Sequence, residues 1–87
     1  MELRHLRYFM MVAQEQSFTK AAAKLFTAQP SLSQQIKDLE QEVGVQLFER
    51  SARNVLLTDE GHAFLTYAEA ALENANISIK SGETIGI

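Results

Sequence analysis

Residues 29–43, Gln29-Pro30-Ser31-Leu32-Ser33-Gln34-Gln35-Ile36-Lys37-Asp38-Leu39-Glu40-Gln41-Glu42-Val43, constrain the fold more than any other stretch. Leu32, Ile36, Leu39 and Val43 recur at helical spacing and form one narrow apolar stripe. Pro30 suits the first helical turn, where a missing N–H costs nothing, and Gly44 follows the last apolar residue as a C-terminal stop. Pro30, Gln34, Lys37 and Gln41 fall opposite the stripe, with Ser33 on the flank. Helix starts usually collect acids because the macrodipole favours negative charge there, yet no acid precedes Asp38. An acid-free helix start that turns Ser and Gln outward suits a polyanion, and glutamine can read a base edge. The same pattern also fits an ordinary amphipathic helix with a solvated face, so the flanking segments decide.

Eighty-seven residues suffice for one small domain with a marginal core. Without cysteine there is no disulfide framework and no thiolate metal site. No apolar run reaches the length of a membrane span. The N-terminus, with Glu2, Arg4 and Arg7, carries no signal-peptide pattern, which favours a cytoplasmic protein. The net charge of −3 is unevenly spread. Residues 1–58 hold seven Lys/Arg against six Asp/Glu, giving +1, while residues 59–87 hold one against five, giving −4. Between 17 and 37 there are three lysines and no acid. A local basic face governs binding more than the global sum does.

A first helix is expected over roughly 2–15, with Leu3, Leu6, Phe9/Met10 and Ala13 inward and Arg4, Arg7 and Glu15 wet. Ser17 is the N-cap expected for a short second helix, 18–25, whose inner face is Ala21, Ala22 and Leu25. Phe26-Thr27-Ala28 then connects tightly to the helix at 29–43, which is a helix-turn-helix arrangement. After Gly44 the period changes. Residues 45–50 and 54–57 read as two short strands around Ser51-Ala52-Arg53, a hairpin too small to stand alone and therefore a wing leaning on the helices. Arg50 and Arg53 lie near its tip, and Arg53, with no adjacent acid, is the stronger candidate for DNA.

Thr58-Asp59-Glu60 opens a fourth helix that can run to about Lys80, ahead of Ser81-Gly82. At 1.5 Å per residue it spans roughly 33 Å, longer than a body of this size can cover. Phe64, Leu65, Ala68, Ala71, Leu72, Ala75 and Ile79 line one face, and a stripe that outruns its core needs a partner helix. The simplest partner is the same helix of a second chain. Asn74, Asn76 and Ser78 predict fraying, and 81–87 read as a hinge or tail.

Ala21-Ala22…Leu25, Gln29 to Ile36, Leu39-Glu40, Gly44, Leu47-Phe48-Glu49-Arg50, Arg53 and Leu57-Thr58…Gly61 together resemble the N-terminal domain of LysR-type transcriptional regulators. The opening Met1-Glu2-Leu3-Arg4-His5-Leu6-Arg7-Tyr8-Phe9 further resembles the branch that regulates aromatic-compound degradation. The resemblance implies a mainly α fold: a winged helix-turn-helix domain over 1–58, made of three helices plus a β-hairpin wing, followed by a long linker and dimerisation helix. The motif would occupy 18–37, the recognition helix 29–43, the wing 45–57, the linker helix 59–80 and the hinge 81–87. The positions matching Gln29, Pro30, Ser33 and Gln34 would approach bases or phosphates, and that matching Arg53 the minor groove. Ser31, Lys37 and Arg50 complete the expected DNA-binding set. The expected partners are operator DNA and a second copy of the chain, with a tetramer open to the full-length protein. A small-molecule inducer would act only through an effector domain that these residues lack, so the chain reads as a DNA-binding fragment without a cofactor. Three positions depart from the family pattern. Gln34 replaces the usual Arg, which leaves base preference open. Ser31 replaces a frequent second proline, and Thr27 puts a hydroxyl in a turn that is normally apolar.

Nothing here suggests an enzyme. His5 and His62 are far apart in sequence, and no phosphate loop, nucleophile elbow or metal-ligand spacing is present. Glu40 and Glu42 do not share a helix face and read as solvated charges. The stronger rival is a winged-helix module that binds protein, which would show no salt-dependent affinity for DNA.

Overall fold

The computed structural model describes the backbone over residues 1–50 and 54–85 and the side chains over 1–50 and 54–73. Its first helix, α1 (Leu3–Glu15), buries Leu6, Phe9 and Val12 and ends at Gln16, which takes the left-handed conformation (φ 54°). The inward stripe is therefore shifted from the expected one: Leu3 stays 44% exposed and Val12 is enclosed. Helix α2 (Phe18–Lys24) starts as expected, with Ser17 Oγ accepting from the Lys20 N–H at 3.1 Å. It ends where the Phe26 N–H reaches the Ala23 carbonyl (3.3 Å) and the Thr27 N–H the Ala22 carbonyl (3.0 Å). This double closure is a Schellman stop, and it holds Phe26 at φ 56°.

Helix α3 (Gln29–Val43) buries Leu32, Ile36 and Leu39. Gly44 closes it at φ 82°, its N–H bonded to the Glu40 carbonyl at 2.9 Å, in the backbone region that glycine enters without cost. Two strands follow, β1 (Phe48–Arg50) and β2 (Val55–Leu57), paired antiparallel with Phe48 opposite Leu57, Glu49 opposite Leu56 and Arg50 opposite Val55. Both are shorter than expected. The expected tip, Ser51-Ala52-Arg53, lies outside the described residues. Helix α4 (Asp59–Ile85) continues past the expected end at Lys80, through Ser81 and Gly82. One glycine inside a helix costs only about 1 kcal/mol, which an established helix tolerates. The hinge or tail expected from 81 is thus helical to 85, and 86–87 lie outside the described residues.

The core is an aromatic stack enclosed by aliphatic side chains. Phe9 sits between Phe48 (centroids 5.2 Å apart) and Phe64 (5.1 Å), and Phe18 meets Phe48 at 6.1 Å. Leu32, Ile36, Leu39 and Leu47 close around them. Truncating one such buried phenylalanine to Ala costs about 3–5 kcal/mol, a large share of what holds so small a domain together. The three helices are locked in place by this stack, so the exposed side of α3 is presented on a rigid base.

Candidate nucleic-acid interface

The start of α3 is left open by its own sequence. Its N-cap is Ala28, which has no side-chain oxygen to close the first turn, and that turn holds no acid. Pro30 occupies the first turn, where its missing N–H leaves no broken bond. The remaining first-turn N–H groups point out of the helix end with its positive dipole behind them, the arrangement that binds phosphate. Gln29, Pro30, Ser31, Gln34, Lys37 and Gln41 are all exposed, and Ser33 is half-buried.

Two of these side chains are tied along the helix. Gln29 Nε2 donates to Ser33 Oγ at 2.8 Å, and Gln34 Nε2 donates to Asp38 Oδ1 at 2.9 Å. Of the three lysines between 17 and 37, Lys24 is held by Glu15 at 2.8 Å, tying the end of α2 to α1. Lys20 and Lys37 make no ion pair among the described residues.

Arg50, expected near the wing tip, is engaged by the body of the domain. Its guanidinium turns back over the Phe18 ring (5.1 Å to the centroid) and lies 3.7 Å from Glu40 Oε1. Cation–π contact of this kind is worth about 0.5–1 kcal/mol and a pair at that distance little more, so Arg50 braces the wing against α2 and α3. Arg53, the other wing arginine, lies outside the described residues.

Glu40 corrects the reading of a solvated charge. Its side chain is 12% exposed, and Oε2 accepts from the backbone N–H of Leu47 (2.8 Å) and of Phe48 (3.2 Å). Those bonds hold the stretch that leads into β1, and Phe48, the first residue of the ladder, stays tied to α3 through its own N–H. On the other side of the wing, Thr58 Oγ1 donates to the Gln46 carbonyl (2.7 Å) and accepts from the Gly61 N–H (2.8 Å). The wing is therefore pinned to α3 by one carboxylate and to α4 by one hydroxyl. A Glu three residues before the apolar end of a helix gives no sign of this in sequence.

The expected dimerisation stripe divides. Phe64 packs on Phe9, Ala68 is fully enclosed, and Leu65, Ala71 and Leu72 are half-buried against the same core. The first half of the stripe thus covers its own domain, because periodicity reports that a face is apolar and not what it meets. The side chains of Ala75 and Ile79 lie outside the described residues. Among the described residues, no cluster of acids or histidines could hold a metal ion, and no helix is long and apolar enough to cross a membrane.

Four similarities bear on this geometry. The family model described as bacterial regulatory helix-turn-helix protein, lysR family, matches residues 3–62. The chain is 60% identical over 76 residues to the HTH-type transcriptional regulator BenM of Acinetobacter baylyi, covering 87% of this chain and 25% of BenM. It is 61% identical over 75 residues to the Hca operon transcriptional activator HcaR of Escherichia coli, covering 86% of this chain and 25% of HcaR. The chain thus spans about a quarter of the length of these curated relatives. Among solved structures, the crystal structure of the BenM DNA-binding domain with catB site 1 DNA superimposes with a TM-score of 0.94 at 55% identity, covering 99% of this chain and 96% of that one.

Proposed function

The chain belongs to the LysR family of bacterial regulatory helix-turn-helix proteins, and from that premise we propose that it binds operator DNA as a dimer on an inverted repeat. Helix α3 enters the major groove by its N-terminal end, with Gln29, Pro30, Ser31, Ser33, Gln34 and Lys37 toward the DNA. The wing follows the adjacent backbone, with Arg53 toward the minor groove. Arg50, whose guanidinium also meets Phe18 and Glu40, stands with the wing at the edge of this contact set. The observation that carries the reading is the open, acid-free start of α3 beneath a row of exposed polar side chains. Transcriptional regulation, rather than catalysis, is the role this supports, and the BenM complex with DNA gives it a precedent.

A gel-shift titration of an inverted-repeat duplex against a scrambled one, each at two salt concentrations, tests it. The repeat should bind about a thousandfold or more tighter than the scrambled duplex. Affinity for both should fall steeply with salt, because each phosphate contacted releases counter-ions. Equal, salt-insensitive binding to the two duplexes sinks the proposal and favours a protein partner.

A further inference from the structure

We propose that Asp38 is a positioning residue for base readout, fixing which way the Gln34 amide faces. It rests on the reading that Gln34 meets a base. Gln34 Nε2 donates to Asp38 Oδ1 at 2.9 Å, one helical turn further along the exposed face of α3. Asp38 makes no ion pair among the described residues, and its carboxylate accepts from the Gln34 amide instead. On a face turned to a polyanion, a carboxylate weakens affinity for every sequence alike. Its return is orientation.

An amide can present two donors, or one donor and one acceptor. With one N–H committed to Asp38, Gln34 keeps a single free N–H and its carbonyl oxygen. Turning the amide over would set that oxygen against the carboxylate, which like charge density disfavours. The remaining pair matches adenine, whose N7 accepts and whose N6 donates. Guanine offers O6 and N7, two acceptors, and needs the second N–H that Asp38 holds. Asp38 therefore converts an indifferent amide into one that prefers A to G.

The test uses the chain as it stands, on duplexes carrying the inverted repeat selected from a half-site library. The readout is the ratio of affinities for A and G at the base pair where Gln34→Ala loses discrimination. Asp38→Ala should lower that ratio about threefold, the scale of a helical Gln–Asp bond strengthened by charge and by exclusion of water. Asp38→Asn keeps an acceptor at the same place and should retain most of the ratio. Both variants should bind the scrambled duplex more tightly, since both remove one negative charge. In the Gln34→Ala background, Asp38→Ala should change the ratio no further. If Asp38→Ala leaves the ratio unchanged while Gln34→Ala abolishes it, Asp38 does not position the amide and the proposal is overturned with the readout intact. If Gln34→Ala changes the ratio at no base pair, the readout itself falls and takes the proposal with it.

Discussion

Single residues decide how well the interface is held, and the least intuitive of them is Phe26. It sits at the left-handed stop of α2 with φ 56° and is 95% exposed. An L-residue pays roughly 1–2 kcal/mol for that conformation, glycine pays none, and the side chain packs against nothing that would offset it. Phe26→Gly should raise stability by about 0.5–1 kcal/mol, the gain being trimmed by the extra freedom glycine has when unfolded. Urea denaturation with an unchanged slope and a higher midpoint is the expected result; a lower midpoint means that the phenyl ring has an unseen partner. At this scale the sequence is only partly legible. Pro30, Gly44 and the Ser17 cap declare themselves, because each has a local mechanism that works within three or four residues. Glu40 does not, because its role depends on a segment beyond the helix end, Leu47 and Phe48, being brought back to it.

At the scale of elements, the helix starts are legible from period and caps, the end of α4 is not, and the wing is legible in kind but not in extent. Strands at 45–50 and 54–57 are expected from composition, yet the ladder is confined to Phe48–Arg50 and Val55–Leu57. Long-range bonds from Glu40 and Thr58 claim the flanking backbone, and such bonds leave no periodic trace. Gly61 shows the same limit. Glycine in the first turn of a helix weakens it locally, but here the start of α4 passes so close to β1's approach that a Cβ would lie 2.1 Å from the Leu47 carbonyl oxygen and 3.0 Å from Leu57 Cδ2. The nearer contact is backbone and cannot swing aside. Gly61→Ala should therefore destabilise the domain by about 1–3 kcal/mol despite alanine's better helix propensity. It should also speed hydrogen exchange at the wing amides more than at those of α1. A domain that melts at the wild-type temperature, with wing protection unchanged, would show that the junction relaxes and the close approach is not a constraint.

For the whole molecule, length is the informative quantity. The 27 residues of α4 make a rod of about 40 Å at 1.5 Å per residue. The shorter extents of the chain are only 26 and 19 Å. Phe64, Ala68 and the inner sides of Leu65, Ala71 and Leu72 cover the domain's own core, so a partner helix would use the outer flank of this stretch and the continuation beyond Leu72. Leu72 stands at that boundary, half-buried. In a dimer built along α4, Leu72→Glu would set two carboxylates near each other, and removing them from water costs more than the contact returns. We expect the wild type to sediment as a dimer at tens of micromolar, an order-of-magnitude range for an interface of moderate size, and Leu72→Glu to sediment as a monomer. Half-burial means the substitution also strains the fold, so the monomer must keep the helical circular dichroism of the wild type for the result to count. A folded monomer should then lose most of its preference for an inverted repeat over a single half-site, because that preference comes from joining two reading heads. A wild type that is monomeric at these concentrations would refute α4 as the dimer element and leave the apolar flank of the helix to some other partner.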